Sequence, residues 1–84
     1  MNHKVLVEIF LPFFGESLDV FIPPDLRMSA VVQLISEALS DLLGKRYFCG
    51  DDTVLCDRVT GMIYSMNRTI RELGIENGSR LMLI

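Results

Sequence analysis

Positive charge is scarce in this sequence. Eight Lys and Arg stand against 11 Asp and Glu, for a formal net charge of -3 and a pI near 4.9, so no basic field exists with which to hold nucleic acid or an anionic membrane surface. Long apolar runs are missing too. The first one, behind Lys4, is broken by Glu8 and Pro12, which supports neither a secretory leader nor a transmembrane span, and the expected location is the cytoplasm. Histidine occurs once, at His3, near the terminus and with no nucleophile to serve. Cysteine occurs twice, Cys49 and Cys56, seven positions apart. That spacing is not a zinc site, a Cys-x-x-Cys redox pair or a disulfide framework. Two reduced thiols in or near a strand are expected, because only Lys45, Arg46 and Arg58 offer any cationic surround that could lower a thiol pKa. Glu37 and Asp41 are spaced for one solvent face of a helix and Asp51-Asp52 for a loop, so both read as solvated charge. The glycines Gly15, Gly44, Gly50, Gly61, Gly74 and Gly78 are scattered over turns, with no cluster to cradle a phosphate. No catalytic, metal or cofactor-binding residue emerges, and the expectation is a non-enzyme without a cofactor.

What is present is material for one small core. The 84 residues are 50% apolar, enough for a single domain over 1–84. Lys4 to Leu11 alternates, with Val5, Val7 and Ile9 on one side and Lys4, Leu6, Glu8 and Phe10 on the other. A Pro12-Phe13-Phe14-Gly15 turn follows. Ser17 to Ile22 alternates again, Leu18, Val20 and Ile22 opposing Ser17, Asp19 and Phe21, which makes a β-hairpin ended by Pro23 and Pro24. From about Met28 to Leu43 the period becomes helical, gathering Met28, Val31, Val32, Ile35, Ala38, Leu39, Leu42 and Leu43 on one face and leaving Leu34 outside it. Gly44 is placed to end this helix, with Lys45 and Arg46 complementing its dipole. Its start is open within two residues, since Arg27 is a weak N-cap while Asp25 and Ser29 are both plausible.

The region from Tyr47 to Asp52 reads as a loop, Thr53 to Asp57 as a strand, and Met62 to Tyr64 as a shorter strand after a turn near Thr60-Gly61. Asn67 to Leu83 then reads as one helical turn with Ile70, Leu73 and Ile75 inward, a corner at Asn77-Gly78, and a last strand through Leu81 and Leu83. A hairpin crossed by a helix, with first and last strands parallel at the centre, is an α+β β-grasp: a mixed sheet of four to five strands and one main helix on one face.

The chain resembles the EsaB/YukD group of small ubiquitin-like proteins associated with bacterial type VII secretion, over nearly all of its length. The features that carry the likeness are Leu18-Asp19-Val20-Phe21-Ile22-Pro23, the Met28 to Leu43 helix, the Thr60-Gly61 hairpin and Leu73-Gly74-Ile75-Glu76-Asn77-Gly78-Ser79-Arg80-Leu81. The pattern is also similar to the ubiquitin-like cytosolic domain of the membrane channel component of actinobacterial type VII systems, and a chain beginning at Met1 favours the small soluble protein. The resemblance implies a cytoplasmic accessory or regulatory component. Ubiquitin-type modifiers and sulfur carriers need a flexible Gly-Gly tail, and this sequence ends on Ile84 within a strand. With Lys4 and Lys45 alone, the lysines on which ubiquitin builds chains are missing as well, so conjugation is not expected.

Alternation also specifies a surface. If Val5, Val7 and Ile9 face the helix, then Leu6, Phe10, Phe21, Met82 and Ile84 share the opposite, uncovered face, extended at its edge by Phe13 or Phe14. At ~25 cal/mol per Å2, burying a few hundred Å2 there contributes on the order of several kcal/mol before the costs of association. The expected partner is a protein, a cytosolic domain of a secretion-system membrane component or regulator. A general ubiquitin-like adaptor or a self-associating domain is the alternative.

Overall fold

The computed structural model describes residues 3–43 and 53–84. Two seven-residue strands, β1 (Val5–Leu11) and β2 (Glu16–Ile22), form the expected antiparallel hairpin. Its register runs from Val5 opposite Ile22 to Leu11 opposite Glu16. The turn closes when the Gly15 N–H donates to the Leu11 carbonyl at 2.9 Å, with Gly15 at φ 67°, a left-handed conformation that costs little only without a Cβ. Helix α1 spans Met28–Leu43, followed by β3 (Leu55–Asp57) and β4 (Arg80–Leu83). The strand order is β2-β1-β4-β3, with β1 and β4 parallel at the centre. This is the β-grasp arrangement expected from the order of elements.

Apolar periodicity explains the core. Val7, Ile9, Leu11, Ile22, Leu81 and Leu83 point from the sheet into a cluster with Met28, Val31, Val32, Ile35 and Leu39 of α1, closed by Leu55, Tyr64, Ile70 and Ile75. Leu34 is 51% exposed, as its helical position implies, whereas Ala38, expected on the buried face, is also exposed. The Leu42 and Leu43 side chains, the Gly44 stop with Lys45 and Arg46, the Tyr47 to Asp52 loop and Cys49 lie outside the described residues.

The weak N-cap of α1 has a structural answer. Neither Asp25 nor Ser29 caps the helix. Instead the first free N–H groups, of Met28 and Ser29, donate to the main-chain carbonyls of Arg68 and Met66 at 2.9 and 3.0 Å. Orphan donors at a helix start need a partner, and here a second segment supplies it. That segment runs antiparallel to residues 24–29 and adds Ile70 N–H to Leu26 and Arg71 N–H to Pro24. The expected helical turn then follows, closed at both ends. Thr69 and Glu72 exchange side-chain-to-N–H bonds in a capping box, and Gly74, at φ 73°, ends the turn in a Schellman pattern with Ile75 N–H donating to Ile70.

One expected strand does not form. Met62 to Tyr64 makes a single bridge, Ile63 with Cys56, rather than a ladder. The Asp57 side chain explains it: its Oδ1 accepts the N–H groups of Val59 and Thr60, and the Asp57 carbonyl accepts Gly61 N–H, winding the chain into a tight knot before it can extend. The sheet therefore has four strands among the described residues.

Candidate functional site: the open face of the sheet

Helix α1 covers one face of the sheet, and the described residues leave the other uncovered. Strand register divides that open face into rows. At one end Leu6 pairs with Phe21, the latter 65% exposed. The next row crosses three strands with charge and ends on the residue after β3: Asp19 opposite Glu8, Glu8 opposite Arg80, and Arg58 beside Arg80 through its N–H to the Arg80 carbonyl. A third row is apolar, running Phe10, Met82, Cys56, Ile63. Beyond it, Ile84 exchanges two main-chain bonds of 2.9 Å with Val54, extending the β3 and β4 pairing by one residue.

Leu6, Phe10, Phe21, Met82 and Ile84 thus stand on the face where alternation put them, but they do not form one continuous apolar surface. Leu6 and Phe10 are four positions apart on β1, about 13 Å at strand rise, and Glu8 lies between. Glu8 is held there by Arg58 at 3.4 Å and Arg80 at 3.8 Å. Like charges opposite one another on a sheet repel, so the two arginines offset the Asp19 and Glu8 pairing. The guanidinium of Arg58 also lies 4.2 Å from the Phe10 ring centroid, a cation–π contact that leaves Phe10 half-buried while Phe21 stays open. Phe13 and Phe14 sit in the hairpin turn, ring to ring at 5.3 Å and 75°, with Phe13 89% exposed. They project at the end of the hairpin, next to the Phe10 row.

Sequence reading missed the charged row and the apolar extension through Cys56 and Ile63. The alternation that placed Leu6, Phe10 and Phe21 outward also placed Glu8 and Asp19 there, so half of the row was available from the sequence. Arg58 and Ile63 required the register of the irregular segment after β3.

Cys56 is buried and packed against this face. Burial, then the charge of Asp57, pushes its thiol above the usual range, which keeps it protonated and poorly nucleophilic. Burial, followed by the charge and the hydrogen bond of Asp57, likewise pushes the Tyr64 phenol up. Among the described residues no cluster of His, Cys, Asp or Glu could hold a metal ion, and no helix is long and apolar enough to cross a membrane.

No family model matches the chain, and no curated protein matches it in sequence. Solved structures do. The EccD5 ubiquitin-like domain from Mycobacterium xenopi superimposes with a TM-score of 0.77 at 17% identity, over 98% of this chain and 93% of that one. The ubiquitin-like domain of the Mycobacterium tuberculosis type VII secretion system protein EccD1 gives 0.74 at 15%, over 98% of each chain. A Caldiarchaeum subterraneum ubiquitin gives 0.70 at 19%, over 98% of this chain and 92% of that one. At these identities the likeness shows the fold, a ubiquitin-like β-grasp.

Proposed function

We propose that this chain is a non-enzymatic, cytoplasmic interaction module of a type VII secretion apparatus, an accessory or regulatory component of the EsaB/YukD kind, not conjugated to targets. It docks a cytosolic domain of a membrane component or regulator through the open face of its sheet. The observation that carries the reading is the arrangement of that face: two apolar clusters, Leu6 with Phe21 and Phe10 with Met82 and Ile63, flank a charged row that sets register and orientation. Apolar anchors bordered by charge are how protein interfaces combine affinity with specificity. Secretion is supported by the fold shared with a domain of a type VII secretion protein.

Affinity capture from the source cells tests the reading. The native chain is expected to retain a membrane or ATPase component of the secretion system, and the Phe21→Ser variant to lose it while keeping its fold. The comparable match to an archaeal ubiquitin favours the second reading, a general adaptor. Capture of partners unrelated to secretion, together with a gene neighbourhood lacking a secretion ATPase, decides for it.

A further inference from the structure

The two edges of the sheet are not alike. On β3 the outer side is occupied, because Asp57 N–H donates to the Met62 carbonyl at 2.8 Å and Tyr64 N–H to the Leu55 carbonyl at 3.0 Å. On β2 it is open. Glu8 N–H donates to Ser79 and the Leu6 carbonyl accepts from Gly78, so the even-numbered residues of β1 turn their main-chain groups to β4 and the odd-numbered ones to β2. Through the register, Glu16, Leu18, Val20 and Ile22 face β1. Ser17, Asp19 and Phe21 therefore direct their N–H and C=O groups outward, and none finds a partner among the described residues. An unpaired edge of this kind is a template for another strand.

Beside that edge, on the helix side, lies an apolar groove of about 220 Å3 between Leu18, Val20 and Ile22 of β2 and Val31, Leu34 and Ala38 of α1. A strand added to β2 lays alternate side chains into it, because residues two apart share a face. The groove accounts for the two apolar helix residues that the core leaves exposed, Leu34 and Ala38. The two elements that form the groove carry charge of one sign: Glu16 and Asp19 lie on β2, Asp19 turned to the open face, Glu37 and Asp41 lie on α1, and neither element contains a Lys or Arg.

We propose that the β2 edge and its groove bind an extended segment of a partner protein, with aliphatic residues alternating with small polar ones and Lys or Arg at its ends, as a fifth strand. Main-chain pairing supplies affinity and the groove selects the alternate side chains. A second copy pairing through its own β2 is disfavoured, since it sets Glu16 and Asp19 against the same acidic rim. This site adjoins the open face and shares Phe21 with it, since Phe21 also lines the groove, but it engages the strand edge and the helix side in place of Leu6, Phe10 and Met82.

The probe is the peptide Lys-Lys-Val-Thr-Ile-Thr-Val-Lys, titrated into the isotope-labelled chain by amide NMR and measured in parallel by fluorescence anisotropy. Saturable binding is expected, with the largest shifts at Ser17, Asp19, Phe21, Leu34 and Ala38. Replacing the lysines by glutamates is expected to weaken binding about tenfold, and N-methylating the central residues to abolish it. Asp19→Pro removes an outward N–H without touching the β1 ladder, and Ala38→Phe fills the groove; each is expected to weaken binding at least about tenfold. Should Asp19→Pro unfold, Ala38→Phe and the N-methylated peptide test the same pairing in a folded chain. The proposal is overturned by shifts confined to Leu6, Phe10 and Met82, by equal binding of the glutamate or N-methylated peptide, by self-association through β2 in place of peptide binding, or by no saturation up to about 1 mM, a Kd too weak for a specific strand addition.

Discussion

Glu8 stands where the open face changes from apolar to charged, and its surroundings show how single residues divide the work in this domain. Its two arginine partners are partly exposed, so they contribute little to stability and act mainly as a fixed pattern for a partner. Buried aliphatic residues contribute most of the stability. Ile35, 3% exposed at the centre of the core, is expected to cost roughly 2 to 5 kcal/mol when replaced by Ala, measured by reversible denaturant unfolding; a loss of a few tenths contradicts its placement. Its position was legible because a helix of period 3.6 leaves a central apolar residue nowhere else to face. Glu72 is different. Its carboxylate accepts the Thr69 N–H, which holds it below the usual carboxylate range. A folded-state pKa lowered in this way adds stability at pH above the ordinary Glu value and loses it as pH falls through the folded-state value. Glu72→Gln is therefore expected to flatten the acid side of the stability profile between those two values while leaving the neutral fold intact. An unchanged acid limb contradicts the capping box. The Thr-x-x-Glu spacing was present in the sequence, but its meaning depended on knowing that a helical turn begins there.

Among the elements, the hairpin and the helix were readable and the connections were not, for a physical reason. Strand alternation and helical periodicity are local patterns, and each proclaims its own inward face. The start of α1 depends instead on carbonyls roughly forty positions away, which no local signal records, so the weak cap at Arg27 read as uncertainty when it is a tertiary contact. Likewise Met62 to Tyr64 has strand-like residues, but Asp57 and Thr60 bind the intervening N–H groups and leave only the one bridge. The open face was half legible: alternation placed Leu6, Phe10 and Phe21 on it, and only the cross-strand register shows that Glu8 splits them. The helix start carries an expectation of its own. The Met28 and Ser29 amides are expected to exchange hydrogen as slowly as core amides, because their opening requires the 66–71 segment to leave. Rapid exchange at both, as for a frayed helix end, contradicts that docking.

At the scale of the whole molecule, the fold presents one face buried by α1 and one divided between two apolar clusters. The clusters are far enough apart to be tested separately. Phe21 is open, so Phe21→Ser is expected to leave stability nearly unchanged. Phe10→Ser loses the Arg58 contact and part of its burial, and is expected to cost about 1 kcal/mol. A loss of about 3 kcal/mol or more at either site, the cost of a buried aromatic, contradicts the strand register. The claim that matters most is that this face meets a partner in the cell. The direct measurement places a photo-crosslinking phenylalanine analogue at Phe21, and separately at Gln33 on the exposed side of α1, with irradiation of living source cells. A discrete crosslinked species containing a component of a secretion system is expected from Phe21, and none of that species from Gln33. Equal crosslinking from both positions, or none from Phe21 while the chain is folded and expressed, contradicts it.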